Sequence, residues 1–215
     1  MNVVGDYGAN GYAHVHGLVP PEVTSALLAS LKRDVASEPI PLSKARSTSN
    51  LLTRPAFEIY GHHYVPMNAF LWALTPTMRE LTGKDLLPTY AYLRIYREGD
   101  ICRVHHDRPS CEHSLSLTLD YSDGVAWPLE LGERHWPQPN ASVSDDFGDE
   151  PYATILMNVG DAVMYRGTNH RHGRITLNPN AWSAHLFLHW VERNGIYADH
   201  AFDQRPPETV NFTFA

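Results

Sequence analysis

The 215-residue sequence has few cysteines, few basic residues and no long apolar run, and each shortage excludes a class of protein. Cys102 and Cys111 are too few for a disulfide framework, so we expect two small buried thiols. No stretch approaches the ~20 apolar residues of a membrane span. The 17 basic residues against 24 acidic ones, a net charge of −7, disfavour a protein that binds nucleic acid by neutralising phosphates.

The chain also lacks internal repeats, low-complexity tracts and a flexible linker, so we expect one globular domain over residues 1–215. A hydrophobic content of 43% is enough to fill a sizeable core. The N-terminal segment has neither the basic nor the apolar part of a secretion signal, so we expect a cytoplasmic protein. No oligomeric state is indicated.

Two segments have the periodicity of amphipathic helices. Residues 19–37 begin with two prolines and continue with an apolar stripe of Val23, Leu27, Leu28, Leu31 and Val35. Residues 67–81 carry a similar stripe, contain Pro76 and end before Gly83, which predicts a second helix packed beside the first.

After Pro88 the pattern changes to short runs of aromatic and alternating apolar residues, which are typical of strands. The runs cover residues 89–96, 114–121, 153–159, 161–167 and 182–191. Their spacing favours a sandwich or jelly roll over βαβ units. We therefore expect a mainly β fold supported by helices from about residues 19–83, with residues 123–151 as a long loop or lid.

The 13 histidines are the most unusual feature that is present, and they are clustered. Around His105 and Asp107 the period of a strand places both side chains on one face. An imidazole and a carboxylate side by side supply two ligands of a 2-His-1-carboxylate triad, the arrangement that binds non-haem Fe(II) and leaves positions open for O₂. The third ligand must come from a distant strand, where His170 and His172 are both candidates.

Four segments, in this order and spacing, resemble the Fe(II)- and 2-oxoglutarate-dependent oxygenases, and in particular the prolyl-hydroxylase-like branch. The segments are residues 92–100, 105–112, 160–174 and 187–191, within a resemblance that spans about residues 86–206. The resemblance implies a double-stranded β-helix (jelly roll) core over that range, and its spacing from Gly167 favours His172 as the third ligand. It implies that His105, Asp107 and His172 bind Fe(II), and that O₂ and 2-oxoglutarate are co-substrates.

The residue that would bind the far carboxylate of 2-oxoglutarate departs from the family's pattern, because Trp182 stands where relatives carry a basic residue. A buried carboxylate needs a paired cation, best an arginine. Arg174 is the first candidate and Arg94 the alternative. Hydroxyl contacts from Tyr96 and Thr118 are implied by the resemblance, and His185 is a further candidate.

The substrate is expected to be a small molecule or peptide, and Arg108 and Trp127 are candidate contacts for it. Arg108 has the alternative of an ion pair with Glu112. A run of acidic residues near the expected lid favours a cationic substrate, although such runs are more often solvated loops. The run comprises Asp145, Asp146, Asp149 and Glu150.

Other histidines and other functions remain as alternatives. Structural or solvent-facing roles are expected for His62, His63, His106, His113 and His189.

Two rival functions share the jelly-roll scaffold. One is a cupin-like metalloenzyme that does not use 2-oxoglutarate, and a basic residue buried opposite the metal would argue against it. The other is a non-catalytic binding module whose histidines hold Zn²⁺ or nothing.

Overall fold

The structure, a computed structural model, describes residues 1–37 and 46–204. The end of the expected jelly-roll core, residues 205–206, lies outside the described residues. The helices are α1 (Tyr7–Asn10), α2 (Pro21–Ser37) and α3 (Pro66–Thr82). The strands are β1 (Asn2–Val4), β2 (Tyr12–His16), β3 (Arg46–Ser47), β4 (Ala56–Tyr60), β5 (Leu86–Arg97), β6 (Cys102–His105), β7 (His113–Tyr121), β8 (Trp127–Gly132), β9 (Tyr152–Met157), β10 (Ala162–Tyr165), β11 (His172–Arg174) and β12 (Trp182–Glu192).

The strands form two antiparallel sheets. The larger sheet has the order β1-β2-β10-β7-β12-β5-β4-β3, and the smaller has the order β6-β11-β8-β9. Apolar side chains from both sheets meet in two buried clusters. In one, Leu129 and Leu131 of the smaller sheet pack with Val163 of the larger one. In the other, Trp127 packs with Tyr96 and its neighbours. The fold is therefore mainly β, as the sequence indicates.

Both long helices contribute to a third cluster together with residues of the larger sheet. Leu27, Leu28 and Leu31 of α2 are buried there, but Val23 in the first turn of that helix is 44% exposed. Helix α3 contains Pro76 and ends at Gly83, whose positive φ of 67° and N–H bond to the Arg79 carbonyl match the expected stop. None of the described helices is long and apolar enough to cross a membrane.

The five expected strands are all present, while the expectation of a continuous loop over residues 123–151 is wrong. Strand β8 occupies residues 127–132 and pairs with β9 along its whole length. Pro128 lies within β8, where it lacks an N–H to donate, and such a proline ordinarily argues against a strand. Cys102 and Cys111 are free and buried, as expected.

Candidate active site

A triad of two histidines and one aspartate forms where two strands of the smaller sheet meet. His105 ends β6 and His172 begins β11, and the antiparallel pairing places these two residues directly opposite each other. Asp107 follows β6 by two residues, with its Oδ1 3.7 Å from His105 Nε2 and 3.4 Å from His172 Nε2. All three ligand atoms lie within 4.8 Å of one another. The sequence-predicted ligands are thus brought together.

Main-chain carbonyls fix the orientation of both imidazoles. His105 Nδ1 lies 2.7 Å from the carbonyl oxygen of Arg103, and His172 Nδ1 lies 3.0 Å from that of His170. A carbonyl only accepts, so each Nδ1 donates its proton there, which leaves each Nε2, directed at Asp107, as the nitrogen that can bind a metal. This is the arrangement that orients histidine ligands in metal sites. The donor set fits a divalent first-row metal.

The charge states of the triad follow from its burial and its mutual contacts. Burial alone would raise the pKa of Asp107. The charge and hydrogen bond of His172, followed by the charge of His105, outweigh burial and hold the pKa of Asp107 well below its usual range. Burial and the nearby His172 lower the pKa of His105 to about 3. Burial alone would lower the pKa of His172, but the charge and hydrogen bond of Asp107 have the larger effect. The pKa of His172 is therefore raised above its usual value. Asp107 is thus an anionic ligand and His105 a neutral one at neutral pH.

The second oxygen of Asp107 is held by residues that the sequence did not single out for this role. The Ser114 hydroxyl donates to Asp107 Oδ2 at 3.1 Å and lies 2.9 Å from His189 Nδ1. The N–H of Asp107 donates to the Gly167 carbonyl at 2.9 Å. A side chain at Gly167 would collide with Asp107 Oδ2 and approach the Cys111 carbonyl oxygen to 2.7 Å. Glycine is therefore needed at position 167 for the carboxylate to occupy its place.

Gly167→Ala is expected to displace the Asp107 carboxylate and weaken Fe(II) binding by roughly 10–100-fold, the usual loss when a ligand's support is removed. Anaerobic Fe(II) titration measures the affinity, and circular dichroism checks the fold. Gly8→Ala is the matched control, because its added methyl would meet only Asp6 Oδ1, at 3.2 Å. Unchanged iron affinity in Gly167→Ala would contradict this role for the glycine.

A narrow inner cavity extends from the triad to Arg174, which is 1% exposed. Strand alternation turns Arg174 to the same side as His172. Its guanidinium donates to the carbonyls of Trp127 at 2.9 Å and Pro128 at 2.6 Å, and one nitrogen lies 3.3 Å from His185 Nδ1. None of its hydrogen bonds to described residues goes to a carboxylate, and its Nε has no partner among them. Burial raises the pKa of Glu130 and the charge of Arg174 counteracts it, so this carboxylate lies near the guanidinium without a hydrogen bond to it, and the Nε of Arg174 remains open to an anion.

Arg94 also lines the inner cavity, but it already has a carboxylate. Its Nε lies 2.5 Å from Glu58 Oε1, and both side chains are buried. It also donates to the Tyr96 hydroxyl at 2.9 Å, which explains why Tyr96 lies beside it at the cavity wall. An external anion at Arg94 would have to compete with Glu58, so the two arginines are not equivalent.

Thr118 lies behind the cavity and is not among the described residues that line it. Its hydroxyl is 3.4 Å from His185 Nδ1 and 3.5 Å from the Tyr121 hydroxyl. His185 is fully buried, and burial, then the charges of Arg174 and Arg94, lower its pKa well below the usual value. His185 is therefore neutral, and it can accept a hydrogen bond from Arg174 without adding charge.

An outer cavity of about 340 Å³ opens on the other side of the triad. Tyr60, Tyr90 and Tyr92 line it and stack with ring centroids 5.5 to 6.3 Å apart. Arg108 also lines it, with its guanidinium 4.5 Å from the Tyr90 ring centroid. Arg108 is paired with Asp203 at 3.4 Å, rather than with Glu112 as one interpretation of the sequence had it. Residues 140–143 contribute the facing wall.

His106 also lines the outer cavity, a position that the strand period did not predict. Alternation placed it opposite His105, but β6 ends at His105, so the alternation does not continue. His106 is 8% exposed, and its imidazole interacts with the Asn140 side chain without a hydrogen bond of full geometry. Burial, then His172, lowers its pKa to about 4. A neutral imidazole beside the triad is suited to contacting a substrate.

Trp127 occupies a different place from the flexible loop in which the sequence put it. It is fully buried in β8, its indole donates to the Thr176 carbonyl at 2.8 Å, and its ring lies 4.6 Å from the Arg174 guanidinium.

The acidic run is partly neutralised, since Asp145 pairs with Arg103 and Glu150 with Arg171. These pairs weaken the case for a cationic substrate.

The remaining histidines are distributed among structural contacts. His170 hydrogen-bonds the Gly132 carbonyl at 3.0 Å and lies apart from the triad. His113 Nδ1 lies 2.6 Å from the Tyr7 hydroxyl, and His189 bonds Ser114. His189 is not fully satisfied, because its Nε2 has no partner among the described residues. His62 and His63 are exposed.

No protein-family model matches this sequence, and no curated protein matches it significantly. Solved structures do match its fold. The non-haem α-ketoglutarate-dependent carbocyclase SnoK from nogalamycin biosynthesis has a TM-score of 0.66 at 9% identity, covering 87% of this chain and 81% of its own. A Pseudomonas putida prolyl-4-hydroxylase has a TM-score of 0.57 at 17% identity, covering 88% and 96%. HygX from Streptomyces hygroscopicus, solved with nickel and 2-oxoglutarate, has a TM-score of 0.61 at 8% identity, covering 87% and 85%.

At these identities the likeness concerns the fold. Two of these proteins, a carbocyclase and a prolyl hydroxylase, catalyse different reactions, so one fold serves more than one chemistry. The jelly-roll architecture expected from the sequence is confirmed at the level of a mainly β protein with two antiparallel sheets. This chain has the fold of the Fe(II)- and 2-oxoglutarate-dependent oxygenases.

Proposed function

We propose that the protein is an Fe(II)- and 2-oxoglutarate-dependent oxygenase that hydroxylates a C–H bond of an amino acid, a peptide or a small metabolite. The observation that carries the proposal is one cavity that is lined both by a 2-His-1-carboxylate triad and by the buried guanidinium of Arg174. A metal triad alone fits many chemistries. A metal triad beside a buried cation that has no hydrogen-bonded carboxylate fits a co-substrate that chelates the metal at one end and carries a carboxylate at the other.

His105, Asp107 and His172 would hold the Fe(II), since two imidazoles and one carboxylate leave three positions free for other ligands. With 2-oxoglutarate and O₂, the iron would supply the oxidation of a C–H bond, and 2-oxoglutarate would become succinate and CO₂. The binding of a metal and 2-oxoglutarate by HygX, which shares the fold, supports this assignment.

Arg174 would bind the far carboxylate of 2-oxoglutarate. Burying a guanidinium is costly unless it is paired, and a carboxylate can accept two hydrogen bonds from it. Tyr96 would contribute through its contact with Arg94, and Thr118 through His185. Trp127 would form the wall against which Arg174 is held. The inner cavity has a volume of about 20 Å³, so its lining side chains must move when 2-oxoglutarate binds.

The outer cavity would receive the substrate beside the triad. The stacked tyrosines would contact its apolar part, and His106 and Arg108 would contact its polar groups. Exclusion of water from this space would protect the oxidising iron from side reactions. Residues 140–143 form the wall that would have to admit the substrate.

The buried Arg174 also bears on the two rival functions. A cupin-like enzyme that does not use 2-oxoglutarate gives no reason for an arginine that is 1% exposed beside the metal ligands. A binding module whose histidines hold Zn²⁺ would account for the triad, but it gives no reason for the buried guanidinium that lines the same cavity. Neither rival is favoured by a particular observation.

Turnover of 2-oxoglutarate in air tests the proposed function. We expect the Fe(II)-loaded protein to convert 2-oxoglutarate to succinate slowly without substrate, and faster when a compound that fits the outer cavity is added. His105→Ala is the control, because it keeps Arg174 and removes a metal ligand. Succinate formation by the wild type at no more than the rate of this variant would refute the proposal.

A further inference from the structure

A second group of two histidines and one aspartate lies outside the proposed active site. It consists of His14 and His16 on β2 and Asp161 just before β10. Asp161 Oδ2 is 3.4 Å from His14 Nε2 and 3.4 Å from His16 Nδ1. The three ligand atoms lie within 4.8 Å of one another, the same limit that the triad of the active site meets.

The fold brings these three side chains together without using the loops of the active site. Successive side chains of a strand alternate between faces, so His14 and His16 project from the same face of β2. Strand β2 pairs antiparallel with β10, with Val15 opposite Ala162, which places the preceding Asp161 beside His16. The two imidazole rings lie 3.7 Å apart, centroid to centroid.

The Asp161 carboxylate is fixed by its own turn. Its Oδ1 accepts the N–H of Gly17 at 2.8 Å, and its Oδ2 accepts the N–H and the side-chain amide of Asn158 at 3.1 and 3.2 Å. A carboxylate offers about four lone-pair positions, so Asn158 occupies both of those on Oδ2, Gly17 occupies one on Oδ1, and one remains on Oδ1. The orientation of this ligand is therefore set before any ion arrives.

Hydrogen bonding alone leaves this group unsatisfied. Both imidazole nitrogens lie 3.4 Å from Oδ2, which already accepts twice from Asn158, so that oxygen has no free lone pair for either of them. His14 is 9% exposed, and among the described residues its Nε2 has only this long contact with Asp161 and no hydrogen bond of full geometry. A cation at the centre would accept the lone pairs of both imidazoles, and that of Oδ2 once the side-chain amide of Asn158 releases it.

The charges around the group favour a divalent cation. Among the described residues, the ion-pair partners of Asp161 are the two histidines, and no lysine or arginine pairs with it.

We propose that His14, His16 and Asp161 form a Zn²⁺ site. Two imidazoles and one carboxylate are a ligand set that Zn²⁺ accepts in proteins, with water at the fourth position. The side chain of His16 is 40% exposed, so solvent reaches that position. The ion would join strand β2 to the turn that precedes β10, its neighbour in the larger sheet.

The number of Zn²⁺ ions bound per chain tests the site. We expect the wild type to bind two equivalents, one at each His/Asp group, and His14→Gln/His16→Gln to bind one. His62→Gln/His63→Gln is the matched control, because it removes an exposed histidine pair elsewhere, and it should still bind two. Metal content is measured after equilibrium dialysis, with circular dichroism to check each fold. If the wild type and the His14→Gln/His16→Gln variant bind the same number of Zn²⁺ ions, the proposal is wrong and the three residues form a hydrogen-bonded cluster only.

Thermal unfolding gives a second readout if the double variant does not fold. His16→Gln alone changes a partly exposed side chain and is expected to keep the fold. At a Zn²⁺ concentration 100 times Kd, the second site should contribute roughly 5–10 °C to the wild-type melting temperature. The rise in melting temperature on adding Zn²⁺ should be smaller in His16→Gln than in the wild type by most of that amount. An equal rise in both proteins would refute the proposed Zn²⁺ site. Both readouts are differences between proteins with an intact active-site triad, so they do not depend on the proposed oxygenase activity.

Discussion

His172→Ala is expected to abolish Fe(II) binding at working concentrations. The change removes one of three ligands, so the loss should exceed the roughly 10–100-fold that follows from removing only an outer partner of a ligand. Anaerobic Fe(II) titration followed by metal analysis of the desalted protein measures it. The triad's remaining His105 and Asp107 would offer only two ligand atoms.

His170→Ala is the matched control for this prediction. His170 is a buried histidine two residues earlier, and its contact with His172 is made by the main-chain carbonyl, which alanine retains. We expect His170→Ala to keep iron affinity near that of the wild type. Loss of iron in His170→Ala with retention in His172→Ala would overturn the assignment of the third ligand.

Arg174→Ala is expected to weaken 2-oxoglutarate binding by about 2–5 kcal/mol, the usual cost of removing one partner of a buried charge pair. That range corresponds to an increase in Kd of roughly 30-fold to several thousand-fold. Fe(II) affinity should change little, because Arg174 is not a ligand. The split between the two affinities separates a co-substrate contact from general damage to the site.

Two further variants control for the structural contacts of Arg174. Arg174→Lys keeps the charge but loses the planar fork, so 2-oxoglutarate binding should be intermediate. Arg94→Gln/Glu58→Gln removes the other buried cation together with its carboxylate, and so leaves no unpaired charge. If this double variant loses 2-oxoglutarate while Arg174→Ala keeps it, the binding residue lies on β5 instead.

The metal triad was accessible to sequence reasoning because its geometry depends on local spacing. His105 and Asp107 are two residues apart at the end of a strand, and His172 is fixed by pairing directly with His105. Arg174 follows from the same period on β11. For His172 and Arg174 the strand β11 carries the information from the sequence to the site, whereas Asp107 lies two residues beyond the end of β6 and reaches the same face without a continuing strand.

Other residues depend on contacts between distant segments, which the sequence does not display. Glycine is needed at position 167 because the Asp107 carboxylate occupies the space that a side chain would fill. Ser114 supports the same carboxylate because strand β7 brings its hydroxyl within hydrogen-bond distance. His106 was not predicted to line the site because β6 ends at His105, so the alternation of a strand does not extend to it. Trp127 was misplaced because Pro128 and the acidic residues after it are typical of loops, while pairing with β9 makes that segment a strand.

The second histidine group was missed for a related reason. Strand β2 has only five residues, Tyr12–His16, too short for its alternation to stand out beside the clearer strands later in the chain. Its partner Asp161 is more than 140 residues away in sequence. Only the pairing of β2 with β10 brings the two histidines to that carboxylate.

The measurement that tests the central claim most directly is an anaerobic titration of 2-oxoglutarate into the Fe(II)-loaded protein, followed by visible absorption. Chelation of Fe(II) by the keto acid should give a saturable metal-to-ligand charge-transfer band. The account predicts such a band in the wild type, a much higher half-saturating concentration in Arg174→Ala, and none in His172→Ala. Iron bound by the wild type without any band on addition of 2-oxoglutarate would contradict it.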